Sequence, residues 1–342
     1  MKAELLGVDS PHWTSFLETE PHDFYHLPAY VAVSASRDGG EPHALHVLGG
    51  GRRMLLPIVV RPIPNGGQDA TSPYGYPGPL ASGPDEKEFM QDALAAGTHL
   101  LRSNGIISLF VRLHPLLNLA SFDRVGEVVT GGEVVSIDLT ASEEELWRHT
   151  RAGHRSQISQ ALRAGRTAAF DDSWLHLAAF KNLYRANMAR VSAADYYLFD
   201  DAYFDGLRRA LGDRLRLCVV NIDGDLAAGA LFVETCGIVQ FHLSATDPAF
   251  GREGLMKLII HFVRSWGKAR GNLELHLGGG VGAADDSLLR FKSGFSPRRF
   301  PFRTLRVIVD PVEYTRRVER PGFGAPAAEG SDFFPAYRLP TS

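Results

Sequence analysis

At 342 residues, with 44% hydrophobic and 22% charged side chains, the chain has ordinary globular composition and length for two cores rather than one. Lys and Arg number 36 against 39 Asp and Glu, a formal net charge of −3, which excludes general attraction to DNA or to an anionic membrane and leaves only local patches for polyanions. No run of about 18 apolar residues is present for a membrane span, and the start "MKAELLGVDSPHW" lacks the apolar segment of a signal peptide, so a cytoplasmic protein without transmembrane association is expected.

In chain order, the strand-like "ALHVLGGGRRMLLPIVVRPI" comes first, followed by the Gly/Pro-rich "DATSPYGYPGPL". Next, Phe89, Ala93, Ala96 and Leu100 share a helical face, Gly105 is placed to cap that helix, and Ile106 to Leu113 reads as a strand. Ser142 and Glu145 have capping-box spacing, so a helix is expected to start there. Its later turns carry Arg148, Arg151, Arg155, Arg163 and Arg166, with the first three on one face, which makes either a solvated helix face or a phosphate-contacting stripe.

The second half repeats the order of the first. The hairpin-like "LRLCVVNIDGDLAAGALFVETCGIVQFHLSA" has turns at Asp223-Gly224 and Cys236-Gly237, and both cysteines, Cys218 and Cys236, read as buried small hydrophobes of a reducing compartment. A helix follows with Leu255, Leu258, Ile259, Phe262 and Trp266 on one face and Gly271 as its cap, then a strand over Leu273 to Leu277. Each half is thus strand, strand, helix, strand, an α/β fold built twice. From Pro321 onward the composition predicts little regular structure.

After the last of these strands come Gly278, Gly279 and Gly280. With Ala283 they fit G-x-G-x-x-A, but too little chain remains for a dinucleotide-binding βαβ unit, and no P-loop sequence occurs anywhere. The alternation in "LELHL" puts Glu274 and His276 on one strand face, a pair suited to acid–base chemistry or to a structural hydrogen bond. Lys292 in "LLRFKSGF" is a surface lysine or, beside aromatic side chains and a glycine-lined space, a cation for a developing oxyanion.

The segments "LMKLIIHFVRSWGKARGNLELHLGGG", "DSLLRFKSGFSP" and "RHTRAGHRSQISQALRAG" resemble the Fem family of peptidyltransferases, and "FYHLPAY", "DATSPYGYPGPL" and "FVRLHPLL" look like elements of its FemAB-like members. The resemblance spans roughly residues 10 to 310, and the long helical insertion of some Fem proteins is absent. It implies two tandem domains similar to GNAT N-acyltransferases, each a mixed, mostly antiparallel sheet flanked by helices. The first, 1–138, would serve the acceptor and the second, 139–310, the acyl donor and catalysis, with 311–342 a tail that packs on the first.

The implied activity is amide formation between an amino acid carried on aminoacyl-tRNA and an amine of a small molecule or peptide, as in antibiotic biosynthesis, with no metal and no prosthetic cofactor. Lys292 would stabilise the transition state, and the amine's proton would pass to His276, Ser244 or a tRNA hydroxyl, among which the residues do not choose. Asp69, Tyr74, Tyr76, Arg112 and His114 would hold the acceptor, the arginine stripe the tRNA, and Gly278 to Gly280 would open space for the acyl carbonyl. An acyl-CoA-dependent transferase on the same scaffold is the alternative, although "FGREGLMKL" lacks the glycine spacing of a pyrophosphate loop. A non-catalytic binding protein is the third reading, and Lys292 with the glycine run argues against it.

Overall fold

The computed structural model describes residues 1–64, 66–82, 86–118, 122, 124–281, 284–319 and 333–339. The chain forms two compact units, one of residues 1–131 and 301–342 and one of residues 132–300. The chain thus returns to the first unit at residue 301, having left it within a strand rather than in a linker.

The first unit opens with β1 (Lys2–Leu6), α1 (Pro11–Thr19), α2 (Pro28–Asp38), β2 (Glu41–Gly49), β3 (Arg52–Pro62), β4 (Gln68–Thr71), β5 (Leu80–Ala81), α3 (Glu86–Ser103) and β6 (Ile106–Arg112). β7 (Glu127–Asp138) then carries the chain into the second unit. There follow α4 (Glu143–His149), α5 (Ala152–Arg163), β8 (Ala169–Phe170), α6 (Leu177–Arg190), α7 (Asp201–Leu211), β9 (Leu215–Ile222), β10 (Asp225–Thr235), β11 (Ile238–Thr246), α8 (Leu255–Ala269), β12 (Glu274–Gly279) and α9 (Ser287–Lys292). β13 (Arg299–Ile308) and α10 (Pro311–Val318) complete the first unit.

Both units are mixed, mostly antiparallel sheets flanked by helices. In the first the strands run β1-β2-β3-β4-β6-β13, with β5 also on β3, and only β4 and β6 are parallel. In the second they run β7-β12-β11-β10-β9-β8, and only β11 and β12 are parallel. In each case the parallel pair brackets a long helix, α3 or α8, because parallel neighbours need a crossover connection. The repeated pattern of the sequence is thus a repeated topology.

Local sequence explains most boundaries. Gly105 (φ +75°) and Gly271 (φ +80°) follow α3 and α8 in the left-handed conformation that an L side chain resists. α8 buries Leu255, Leu258, Ile259, Ile260 and Val263, while Phe262 and Trp266 lie partly exposed against Phe170. Asp223-Gly224 and Cys236-Gly237 take positive φ at both positions, as tight hairpin turns require. That placement leaves Cys236 exposed, so only Cys218 is a buried hydrophobe.

The helix expected from Ser142 is two helices. Its capping box is present, but Thr150 is extended, and its hydroxyl and backbone N–H both return to Leu146 O. The carbonyls that end α4 then take guanidinium donors instead of a further helical turn. Arg155 Nη1 reaches Thr150 O at 2.6 Å and Arg148 O at 3.2 Å, and the buried Arg264 reaches Leu146 O at 3.2 Å. Arg148, Arg151 and Arg155 therefore do not share a helix face.

Residues 320–332 and 340–342 of the predicted irregular tail lie outside the described residues. The part that is described is anchored. Tyr337 is buried and its hydroxyl meets Ser108 Oγ at 2.7 Å, while Arg338 pairs with the fully buried Asp69, which also accepts from Arg61 Nε at 3.0 Å. α10 went unread because "PVEYTRRV" has few apolar positions; Asp310 caps it through Glu313 N. Removing the shared carboxylate in Asp69→Ala leaves two partly buried guanidinium groups without it, and should lower the unfolding free energy by about 2–4 kcal/mol. Urea denaturation measures the loss, and limited proteolysis should cut the C-terminal segment faster than in wild type.

Candidate functional site

The feature that sets the second unit apart is how its parallel pair ends. β11 and β12 are in register only from Ile238/Glu274 to Gln240/His276, yet β11 runs on to Thr246 and β12 to Gly279. Beyond His276 the two strands diverge, while β12 stays paired on its other edge to β7 and β11 to β10. A bulge on each strand accompanies the divergence, at His276/Gly278 toward β7 and opposite Leu231/Phe232 toward β10. The result is a wedge whose two arms offer backbone groups not spent on each other.

Lys292 sits at this wedge. It ends α9, is buried to 8% exposure, and its Nζ donates to Gly279 O on the β12 arm at 2.7 Å. The same Nζ is 5.8 Å from the ring centroid of Phe241 on the β11 arm, within cation–π range. Burial pushes its pKa down from 10.5 to about 8, and the Asp286 carboxylate partly opposes that shift. It is a desolvated ammonium, not a surface lysine.

Three docked segments hold it there. Asp286 caps α9 by accepting from Leu289 N at 2.8 Å and grips the glycine turn by accepting from Val281 N at 2.9 Å. From the other side, His154 of α5 contacts Phe291 O through Nε2 at 2.9 Å, and Arg151 N donates to Gly294 O at 2.7 Å. His154 packs edge-on to Phe295 at 4.7 Å between centroids, and burial lowers its pKa to about 4, so it is a neutral structural histidine. Gly294 is glycine because a Cβ there would lie 2.4 Å from His154 Nε2.

The glycine run has the same kind of reason. Gly278 takes φ +74° at the bulge, a Cβ on Gly279 would lie 2.7 Å from Glu133 O, and one on Gly280 would lie 2.1 Å from Ala284 O. The room these glycines leave is thus filled by the protein's own backbone and not kept open for an acyl group. Ala283 lies outside the described residues.

Of the other catalytic candidates, His276 is fully buried at the last β11–β12 pair, opposite Gln240 and Ser136. Ser244 is half-buried on β11 past that pair, on the free arm of the wedge. Glu274 accepts from Ser136 Oγ at 2.6 Å and pairs with Arg298 at 2.8 Å, so it belongs to a network with Asp138 rather than to His276. Burial raises its pKa.

The expected acceptor residues are largely committed to structural contacts. Asp69 is committed to Arg61 and Arg338. Tyr74 is held by α2, its N–H donating to Ser34 Oγ and its carbonyl accepting from Tyr30 OH. Arg112 donates to Ser72 O at 3.1 Å. His114 is fully buried beyond the end of β6; its Nδ1 accepts from Leu116 N and Leu117 N and its Nε2 faces Asp23 Oδ2 at 2.8 Å. A histidine with both nitrogens so engaged is a core residue. Tyr76 lies near it, ring centroids 6.3 Å apart, with Tyr25 and Phe302 alongside Tyr76.

The arginine stripe also divides. Arg155 caps α4, and Arg166 pairs with Glu253 at 2.9 Å. Arg148, Arg151 and Arg163 remain exposed. Sequence reasoning missed Lys257, which lies half-buried in the first turn of α8, 5.2 Å from the Phe291 ring centroid, its pKa lowered by burial and by the Arg151 charge. Its signal, a cation at the start of a helix where acids are favoured, was available.

Residues 148–293 match the acetyltransferase (GNAT) domain model. In structure the chain is similar to FemX, at a TM-score of 0.67 and 13% identity over 92% of this chain and 99% of that one. It is also similar to L-PGS from Bacillus licheniformis, at 0.56 and 14% over 90% and 95%, and to the C-terminal domain of a putative lysylphosphatidylglycerol synthetase from Agrobacterium fabrum, at 0.56 and 17% over 87% and 90%. No curated protein matches the sequence. The tandem GNAT-like fold implied by the Fem resemblance is the fold observed. Chemistry of this type draws on co-substrates and not on a metal or prosthetic group.

Two measurements test the wedge. Gly294→Ala should destabilise the protein by about 1–3 kcal/mol through overpacking, and a second change, His154→Ala, should recover part of that loss in a double-mutant cycle by thermal unfolding. Because Lys292 titrates near 8 when folded and near 10.5 when unfolded, the folded state binds fewer protons between those values. Wild-type stability relative to Lys292→Met should therefore be flat below about pH 8 and rise by on the order of 3 kcal/mol up to pH 10.5.

Proposed function

Taking the GNAT-type acyltransferase domain at residues 148–293 as the starting point, we propose that the protein transfers an amino acid from aminoacyl-tRNA to an amine of a small-molecule or peptide acceptor, as in antibiotic biosynthesis. The observation that carries this reading is Lys292, a buried ammonium tethered to Gly279 O on one arm of the wedge and facing Phe241 on the other.

The chemistry needs little else. The ester of an aminoacyl-tRNA is already activated, so positioning a neutral amine against its carbonyl and stabilising the resulting oxyanion supply most of the acceleration. The amine nitrogen bonds to the carbonyl carbon, negative charge collects on the carbonyl oxygen, and the Lys292 ammonium donates to it. The intermediate collapses with cleavage of the ester C–O bond, and the proton lost by the amine ends on the departing ribose hydroxyl. Ser244, on the β11 arm, is the side chain suited to relay that proton, since the buried His276 is less accessible. Exposed Arg148, Arg151 and Arg163 supply positive charge for the tRNA backbone.

The acyl-CoA alternative asks for open backbone amides at the start of α8 to receive a pyrophosphate. Support for it is weak at that point: Gly254, which precedes α8, is buried, and a Cβ there would lie 2.9 Å from Gln157 Cβ of α5. Incubating the purified protein and amine acceptors with a panel of charged tRNAs should give amide products that RNase abolishes, and acetyl-CoA in their place should give none. Lys292→Met should lower kcat by about 10²–10³-fold while the circular dichroism spectrum is retained. RNase-insensitive transfer supported by acetyl-CoA would overturn the reading.

A further inference from the structure

Far from Lys292 in sequence, and within the first unit, three side chains from different elements meet: Glu4 of β1, His12 in the first turn of α1, and His46 of β2. Glu4 and His46 are direct cross-strand partners, so the antiparallel register places both on one face of the sheet. His46 Nδ1 lies 3.0 Å and His12 Nδ1 3.4 Å from the same carboxylate oxygen, Glu4 Oε1. One donor atom from each of the three residues falls within 4.8 Å of the other two. A tetrahedral zinc site with bonds of about 2 Å spaces its ligands at roughly 3.3 Å. The two histidine–carboxylate spacings, 3.0 and 3.4 Å, are close to that.

The surroundings are those of a ligand set. Lys2 Nζ holds the other carboxylate oxygen, Oε2, at 3.2 Å and so turns Oε1 toward the two imidazoles, the outer-shell orientation that metal-binding carboxylates need. His46 is 3% exposed, so its Nδ1 contact with Glu4 is shielded from solvent. The His12 side chain is 63% exposed, which gives an ion a path from solvent.

We propose that Glu4, His12 and His46 form a binding site for a divalent transition metal ion, zinc in the first instance, which joins α1 to the β1–β2 edge. Two imidazoles and one carboxylate suit zinc, cobalt and nickel and are poor ligands for calcium or magnesium, which prefer oxygen alone. Three protein ligands leave one position for water or an exogenous group. The metal's role is to clamp the sheet edge, separate from the acyl-transfer wedge.

The test uses full-length, tag-free protein stripped with a chelator. Titration with Co²⁺ should give one equivalent of visible absorption with the intensity of a tetrahedral site, bleached by one equivalent of Zn²⁺, and Zn²⁺ should raise the thermal midpoint. His12→Ala, at an exposed side chain, should fold as wild type and lower Zn²⁺ affinity more than tenfold by calorimetry, and Glu4→Gln should do the same. The absence of stoichiometric binding, or binding that His12→Ala leaves unchanged, would overturn the proposal.

Discussion

One crowded contact fixes the wedge of the second unit: the His154 ring against the backbone at Gly294. A Cβ at 294 would be driven to within 2.4 Å of Nε2, so any other residue there displaces the ring. The histidine is anchored in turn by Phe291 O and by Phe295, and Arg151 N closes on Gly294 O. Through this contact the start of α5 holds the last turn of α9, and so holds Lys292 against Gly279. The motif "FKSGF" is read physically as a cation, a lock and two aromatic walls.

Burying that ammonium is costly, and the structure shows what offsets the cost. Its partners are a carbonyl, a ring face and the charge of Asp286, not a carboxylate at hydrogen-bond distance. A full ion pair would neutralise the charge, whereas a carbonyl leaves it in place. Asp286 acts at longer range, and spends its oxygens on Leu289 N and Val281 N. The same economy appears at the α4–α5 junction, where Arg155 and Arg264 give their donors to helix-ending carbonyls and allow a sharp break between two helices.

Much of the fold was legible. The helical faces of α3 and α8, the glycines after them, the hairpins at Asp223-Gly224 and Cys236-Gly237 and the doubled strand–strand–helix–strand order all follow from local periodicity and from φ preferences. That Lys292 lies beside the glycine run and an aromatic ring could be read from its neighbours in sequence. The residues chosen for exposure at strand ends fared worse, because Asp69 and His114 are as polar in sequence as any ligand, and only their partners, Arg338 and Asp23, make them structural. The arginine stripe failed for a related reason: Thr150 broke the helix whose continuity the spacing argument assumed.

What the sequence by itself determined was element type and order, since turns, caps and apolar periodicity act over a few residues. Only the tertiary structure decided which polar groups meet. His154 lies 140 positions before Gly294, Glu4 lies 42 before His46, and the wedge exists because β11 and β12 stay in register for three residue pairs and then part. Such contacts depend on register and crossover, which no local stretch of sequence encodes.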